Sequence, residues 1–126
     1  MGAKSRTEIR EFYAKLHAER QQTQTQNFCD FLDFLFAERE LAGCTFFTSL
    51  HSLCIVRYPT YKLWHNKPLL SLGIASSNHV RIQLRVTRSA KPAYRSTTES
   101  SNSPYNIALE EFDRLYELFL QAHAEL

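Results

Sequence analysis

The chain has 126 residues, of which 44% are hydrophobic and 22% charged, and its net charge is +2. This composition predicts one folded domain over residues 1–126 and excludes an intrinsically disordered chain. The apolar runs are too short to cross a bilayer, and the amino terminus lacks the pattern of a signal peptide. We therefore expect neither a membrane partner nor secretion.

Three segments have helical periodicity. The first, over 5–21, begins with a capping box at Ser5 and Glu8. The Gln/Thr run at 21–26 is predicted as a connection or as an extension of this helix. The second helix, over 27–42, is predicted to end at Gly43 as its C-terminal cap. Phe34 lies off its apolar stripe, which indicates either a helix buried on two sides or a subunit contact.

The middle of the chain has strand periodicity. Strands are predicted over 45–48, 53–58, 69–74 and 80–87, and in the last of these Arg81 and Arg85 alternate with apolar residues. Alternation places both arginines on the outer face of a half-covered antiparallel sheet. Residues 89–103 are predicted as a loop, and the third helix is predicted to begin at Pro104 or Asn106. The fold class is α+β, with two N-terminal helices, a four-stranded antiparallel sheet and one C-terminal helix packed on the sheet.

Charge is distributed unevenly along this sequence. Residues 41–98 contain no Asp or Glu but eight Lys or Arg. A surface of this kind attracts polyanions. The alternative interpretation is that these cations are ordinary solvated positions, balanced in the fold by the acidic helices.

Other chemistry is poorly represented. Cys29, Cys44 and Cys54 are odd in number and irregularly spaced, which predicts free thiols in a reducing compartment such as the cytoplasm or nucleus. His51 and Cys54 have no second ligand pair at zinc spacing, so we expect no metal and no other cofactor. Without a glycine-rich phosphate loop, or a carboxylate in the sheet segment for acid–base catalysis, we do not expect an enzyme.

Aromatic and cationic side chains are interleaved in the sheet region. Cations neutralise phosphates while rings stack on bases, and a sheet provides a flat platform for both. We therefore predict that single-stranded nucleic acid binds one contiguous basic face, although the aromatic residues could equally be core anchors. The predicted binding residues are Arg57, Tyr61, Lys62, Arg81, Arg85, Arg88, Lys91, Tyr94 and Arg95.

Three segments between residues 68 and 122 are similar to a known family. They are Pro-Leu-Leu-Ser-Leu at 68–72, Val-Arg-Ile-Gln-Leu-Arg-Val at 80–86 and Asn-Ile-Ala-Leu-Glu-Glu-Phe-Asp-Arg-Leu at 106–115. They resemble the single-stranded-DNA-binding domain of the transcriptional positive cofactor four family, in which a basic curved sheet precedes a helix that builds a homodimer. The resemblance implies a homodimer with DNA contacts from Arg81, Arg85 and Lys91. The two N-terminal helices have no counterpart in that family.

A second function class fits the same charges. A protein-interaction module, acting as an adaptor or inhibitor, would bind an acidic protein partner through the basic segment. The Phe-rich second helix would then supply the hydrophobic contact.

Overall fold

The structure is a computed structural model that describes residues 3–57, 68–90 and 93–124. At positions 87–90 and 93–97 only the backbone is described. In chain order the elements are helices α1 (Arg6–Arg20) and α2 (Thr23–Glu38), strands β1 (Thr45–Ser49), β2 (Ser52–Val56), β3 (Leu69–Ser76), β4 (His79–Ala90) and β5 (Ala93–Pro104), and helix α3 (Ala108–Ala124).

The strands form one antiparallel sheet in the order β1-β2-β3-β4-β5. The α+β class and the three helices are confirmed, but the prediction of four strands was wrong. The predicted loop over 89–103 is instead the end of β4 and most of β5, whose pairing runs from His79↔Pro104 to Ala90↔Ala93. Because β5 is an edge strand rich in Ser, Thr and Asn, it lacks the apolar alternation by which a strand is recognised.

The hairpin of β4 and β5 is longer than its neighbour β3. Strand β3 pairs with β4 only as far as Leu69↔Arg85. In the described part of the chain, positions beyond Arg85 in β4 pair with β5 alone, from Val86↔Thr97 to Ala90↔Ala93. The end of the hairpin is therefore a two-stranded ribbon.

All three helices pack on the same face of the sheet. Ile55, Leu72 and Ile82 are fully buried there together with Phe28 of α2 and Phe112 of α3. Alternation along each strand puts these apolar residues on one side and leaves the opposite side without a helix among the described elements. Within those elements, no helix is long and apolar enough to cross a membrane.

The capping box at the start of α1 is confirmed. The backbone N–H of Glu8 donates to Ser5 Oγ at 3.1 Å, and the backbone N–H of Ser5 donates to the Glu8 carboxylate at 3.1 Å. These bonds satisfy two backbone donors that the first helical turn would otherwise leave unpaired.

Replacing Ser5 by alanine is expected to lower the free energy of unfolding by about 1 kcal/mol, because the Glu8 N–H loses its acceptor. Urea denaturation measures the change. Thr7→Ala, an exposed substitution in the same turn, serves as the control and should cost less than about 0.5 kcal/mol. Equal losses in both variants would contradict a specific role for the cap.

The boundaries of α2 and α3 differ from those predicted. Helix α2 begins at Thr23, one turn before Asn27, and ends at Glu38 with Arg39 as its cap. Gly43 is therefore not the helix cap. It lies in the turn before β1 with a φ of 74°, a conformation that glycine adopts without strain. Helix α3 begins at Ala108, because Pro104 is still part of β5.

Candidate nucleic-acid interface

The open face is the side of the sheet opposite the three helices. One row across it consists of the cross-strand neighbours Phe47, Cys54, Ser71, Gln83 and Ser100. One further row lies on each side of it. In the first, Arg81 lies between Gly73 of β3 and Asn102 of β5. In the second, Arg85 lies between Leu69 of β3 and Thr98 of β5. The face therefore changes from apolar at β1 and β2 to polar and cationic at β4 and β5.

The part of the open face formed by β1 and β2 is apolar and is not accessible to solvent. Phe47 and Val56 are fully buried, and Cys54 is 6% exposed. Burial raises the pKa of the Cys54 thiol, while the positive charge of Arg85 acts in the opposite direction. Cys54 is consequently a neutral packed thiol. The accessible part of the open face is formed by β3, β4 and β5.

Arg81 and Arg85 are both exposed on the accessible part. They are four residues apart on one strand, a separation of roughly 13 Å at about 3.3 Å per residue. Neither guanidinium forms an ion pair with a carboxylate in the described part of the chain. Among the side chains around them, Gln83, Ser100 and Asn102 are uncharged hydrogen-bonding groups.

The acidic residue of β5, Glu99, lies on the other side of the sheet from Arg81 and Arg85. Glu99 occupies a β5 position that pairs with buried Leu84, so alternation assigns it to the helix side of the sheet. There, Arg114 of α3 lies 3.5 Å from Glu99 and 2.8 Å from Glu111. No described position of the open face is an Asp or Glu, which leaves the field of the two arginines without a neutralising neighbour.

Two more ion pairs join the helical layer. Arg39 binds Asp113 through two hydrogen bonds of 2.9 and 2.7 Å, linking the end of α2 to α3. Arg10 of α1 pairs with Asp33 of α2. Asp33 and Asp113 thus neutralise arginines of their own helical layer.

Gly73 determines where the Arg81 side chain lies. A Cβ atom at position 73 would be 3.2 Å from Arg81 Nη2 and 3.4 Å from Ser52 Oγ. The guanidinium of Arg81 therefore lies across β3 and reaches the start of β2. A side chain at position 73 would occupy this space, so the glycine allows the close approach.

The expectation of one basic patch does not hold for Arg57. This residue follows Val56 and lies toward the turn between α2 and β1, where its Nη1 donates to the Ala42 carbonyl oxygen at 3.4 Å. Its Nη2 is 3.1 Å from the position of a Cβ atom on Gly43. Successive strand residues point to opposite faces, so Arg57 is separated from Arg81 and Arg85.

The backbone positions of Arg88 and Arg95 are not on the side of the ribbon that continues the open face. The register pairs them directly in the two-stranded ribbon, and alternation puts their positions on the same side as Leu84. Tyr94 pairs with Ser89, at positions on the same side as Arg85. Tyr61, Lys62 and Lys91 lie outside the described residues.

Several residues of the face were not predicted. Gln83 is the member of the alternating β4 pattern between the two arginines, so alternation alone would have identified it. Ser100 and Asn102 could not be found because β5 was predicted as a loop. Gly73 is an isolated glycine in a strand pattern, which is a known signal of a close backbone approach.

The described residues contain no group of three or more His, Cys, Asp or Glu side chains that could hold a metal ion. Cys29, Cys44 and Cys54 are free thiols.

Comparison of the chain with protein-family models, curated proteins and solved structures found no match. The resemblance to the positive cofactor four family therefore stays a prediction.

Proposed function

We propose that this protein binds single-stranded nucleic acid on the open face of its sheet. The observation that supports the proposal is that Arg81 and Arg85 share an exposed face on which no described position is acidic. Binding would release counterions from the phosphates, which is the main source of affinity in sequence-independent recognition. The homodimer implied by the family resemblance stays part of the proposal.

The polar residues between the arginines suit an unpaired strand. A flat sheet can approach bases that are splayed out, whereas the paired bases of a duplex are not presented to it. Gln83, Ser100 and Asn102 provide donors and acceptors for base edges or sugars. Stacking would come from aromatic residues such as Tyr61 and Tyr94, the latter at a position on the same side of the ribbon as Arg85.

The test is fluorescence anisotropy with a labelled single-stranded oligonucleotide at several salt concentrations. Affinity should fall with salt, and the slope of log K against log salt should be about −1.4 or steeper, from two phosphate contacts at about −0.7 each. A duplex of the same sequence should bind more weakly. Absence of binding at low salt, or an affinity that salt does not change, would remove the proposal.

A second candidate function is a protein-interaction module, and it is favoured by the exposure of Phe34. This residue of α2 is 50% exposed and lines a groove of about 470 Å³ with Phe31 and Tyr105. An acidic protein could contact Arg81 and Arg85 on the other side of the molecule. Binding of partner proteins that survives nuclease treatment and is lost in Phe34→Ser would favour this function over the first.

A further inference from the structure

A second cationic site lies at one end of the open face. It is a cavity of about 340 Å³, bounded by the end of α1, the start of α2, the turn between β1 and β2, the second half of β3 and the start of β4. We call it the end cavity. Its polar lining consists of Arg20, Gln24, Thr25, His51, Ser52 and Arg81.

The end cavity is positively charged. Arg20 and Arg81 both line it, and neither forms an ion pair with a carboxylate among the residues that the structure describes. None of the described residues that line it is acidic. The first turn of α2 also contains no acid, so the partial positive charge of that helix end is not neutralised. Two guanidinium groups around one space favour an anion that accepts several hydrogen bonds.

Arg81 belongs to both the open face and the end cavity. Its guanidinium reaches across Gly73 toward Ser52, which is part of the cavity wall. A strand that follows β4 from Arg85 to Arg81 would therefore arrive at the cavity. The end of α1 and the turn before β2 form part of the cavity wall, so we expect the terminus of a strand to enter the cavity and not a continuing chain.

We propose that the end cavity binds the terminal phosphate of the nucleic-acid strand held on the open face, an inference that rests on the proposed function. A terminal phosphate carries about −1.5 to −2 charges at pH 7, against −1 for a phosphate within the chain. It also offers three acceptor oxygens to the two arginines. The cavity lies within the range of small-ligand sites, about 300–1,000 Å³, which leaves room for the terminal sugar.

The test compares three oligonucleotides of one sequence: phosphorylated at the 5′ end, phosphorylated at the 3′ end, and with hydroxyl groups at both ends. One phosphorylated form should bind about tenfold more tightly than the hydroxyl form, which is the contribution of one charge-assisted contact. Arg20→Gln should reduce that preference to about one while leaving affinity for the hydroxyl form nearly unchanged. Lys15→Gln, an exposed cation of α1 that is not among the residues lining the cavity, is the matched control and should keep the preference.

A second variant keeps every charge in place. Gly73→Ala puts a methyl group 3.2 Å from Arg81 Nη2, so the guanidinium must shift and the preference for the phosphorylated end should fall. Equal binding of all three oligonucleotides by the unmodified protein would overturn the end cavity as a phosphate site and leave the proposed function standing. Failure of all three to bind would overturn both.

Discussion

Replacing Arg81 and Arg85 together by alanine is expected to weaken binding of single-stranded nucleic acid by at least about a hundredfold at low salt. Each guanidinium contributes a charge-assisted contact to a phosphate, and such contacts contribute about 1.5–3 kcal/mol each. The salt slope should become less steep by about 1.4, because two phosphate contacts are lost. Anisotropy titrations of the double variant at several salt concentrations measure both quantities.

The fold should tolerate this double substitution. Both side chains are exposed, and neither takes part in an ion pair within the described ranges. Exposed charges contribute little to the stability of a fold. A thermal unfolding midpoint close to that of the unmodified protein would show that lost binding reflects the face itself and not unfolding.

The matched control removes two charges from the opposite side of the molecule. Arg10 and Lys15 are exposed residues of α1, in the helical layer. Arg10→Ala with Lys15→Ala changes the net charge by the same amount as the double variant of the open face. It should change affinity by less than about threefold, since solvent and salt screen charges this far from the site. A comparable loss in the control would mean that net charge, and not the open face, determines binding.

The position of Arg81 and Arg85 could be predicted because it depends on a local pattern. Four apolar residues alternate with polar ones along β4, so the face of each is determined by the strand itself. The same rule explains why Arg57 does not join them. It follows Val56 directly and so belongs to the opposite side of β2, a consequence visible in the sequence once the strand is placed.

Strand β5 could not be predicted from its own residues. Its stability comes from backbone hydrogen bonds to β4, which any side chain allows, and its side chains are mostly polar because it is at the edge of the sheet. Ser103 is its one buried position in the described side chains of the strand, at 2% exposure. Strand propensity and apolar alternation both arise because one face of a strand is buried. They are therefore weak signals for a strand that is partly exposed on both faces.

The end cavity was also beyond prediction, for a different reason. Arg20 and Arg81 are on opposite sides of His51 in the chain, each about 30 residues from it, and the three come together only when α1 packs beside the turn between β1 and β2. No pattern within a short stretch of sequence indicates that these residues are neighbours in the fold. The long sequence separation is itself the property that requires a three-dimensional structure.

Helix α3 should contribute more to stability than any surface feature, and Phe112→Ala is expected to lower the free energy of unfolding by about 3–5 kcal/mol. Phe112 is fully buried against the sheet, and its ring stacks on that of Tyr116 at a centroid distance of 5.6 Å. Truncation removes buried apolar surface and leaves a cavity that the packed sheet cannot fill. Urea denaturation followed by far-ultraviolet circular dichroism measures the loss.

Phe34→Ala is the matched control for Phe112→Ala, since it makes the same chemical change on a helix. Phe34 is 50% exposed, so its truncation removes much less buried surface and should cost less than about 1 kcal/mol. A domain of this size is stabilised by only about 5–15 kcal/mol, so Phe112→Ala alone could remove a large part of the total. Similar losses for the two variants would contradict the packing of α3 on the sheet, and with it the assignment of the opposite side as the open face.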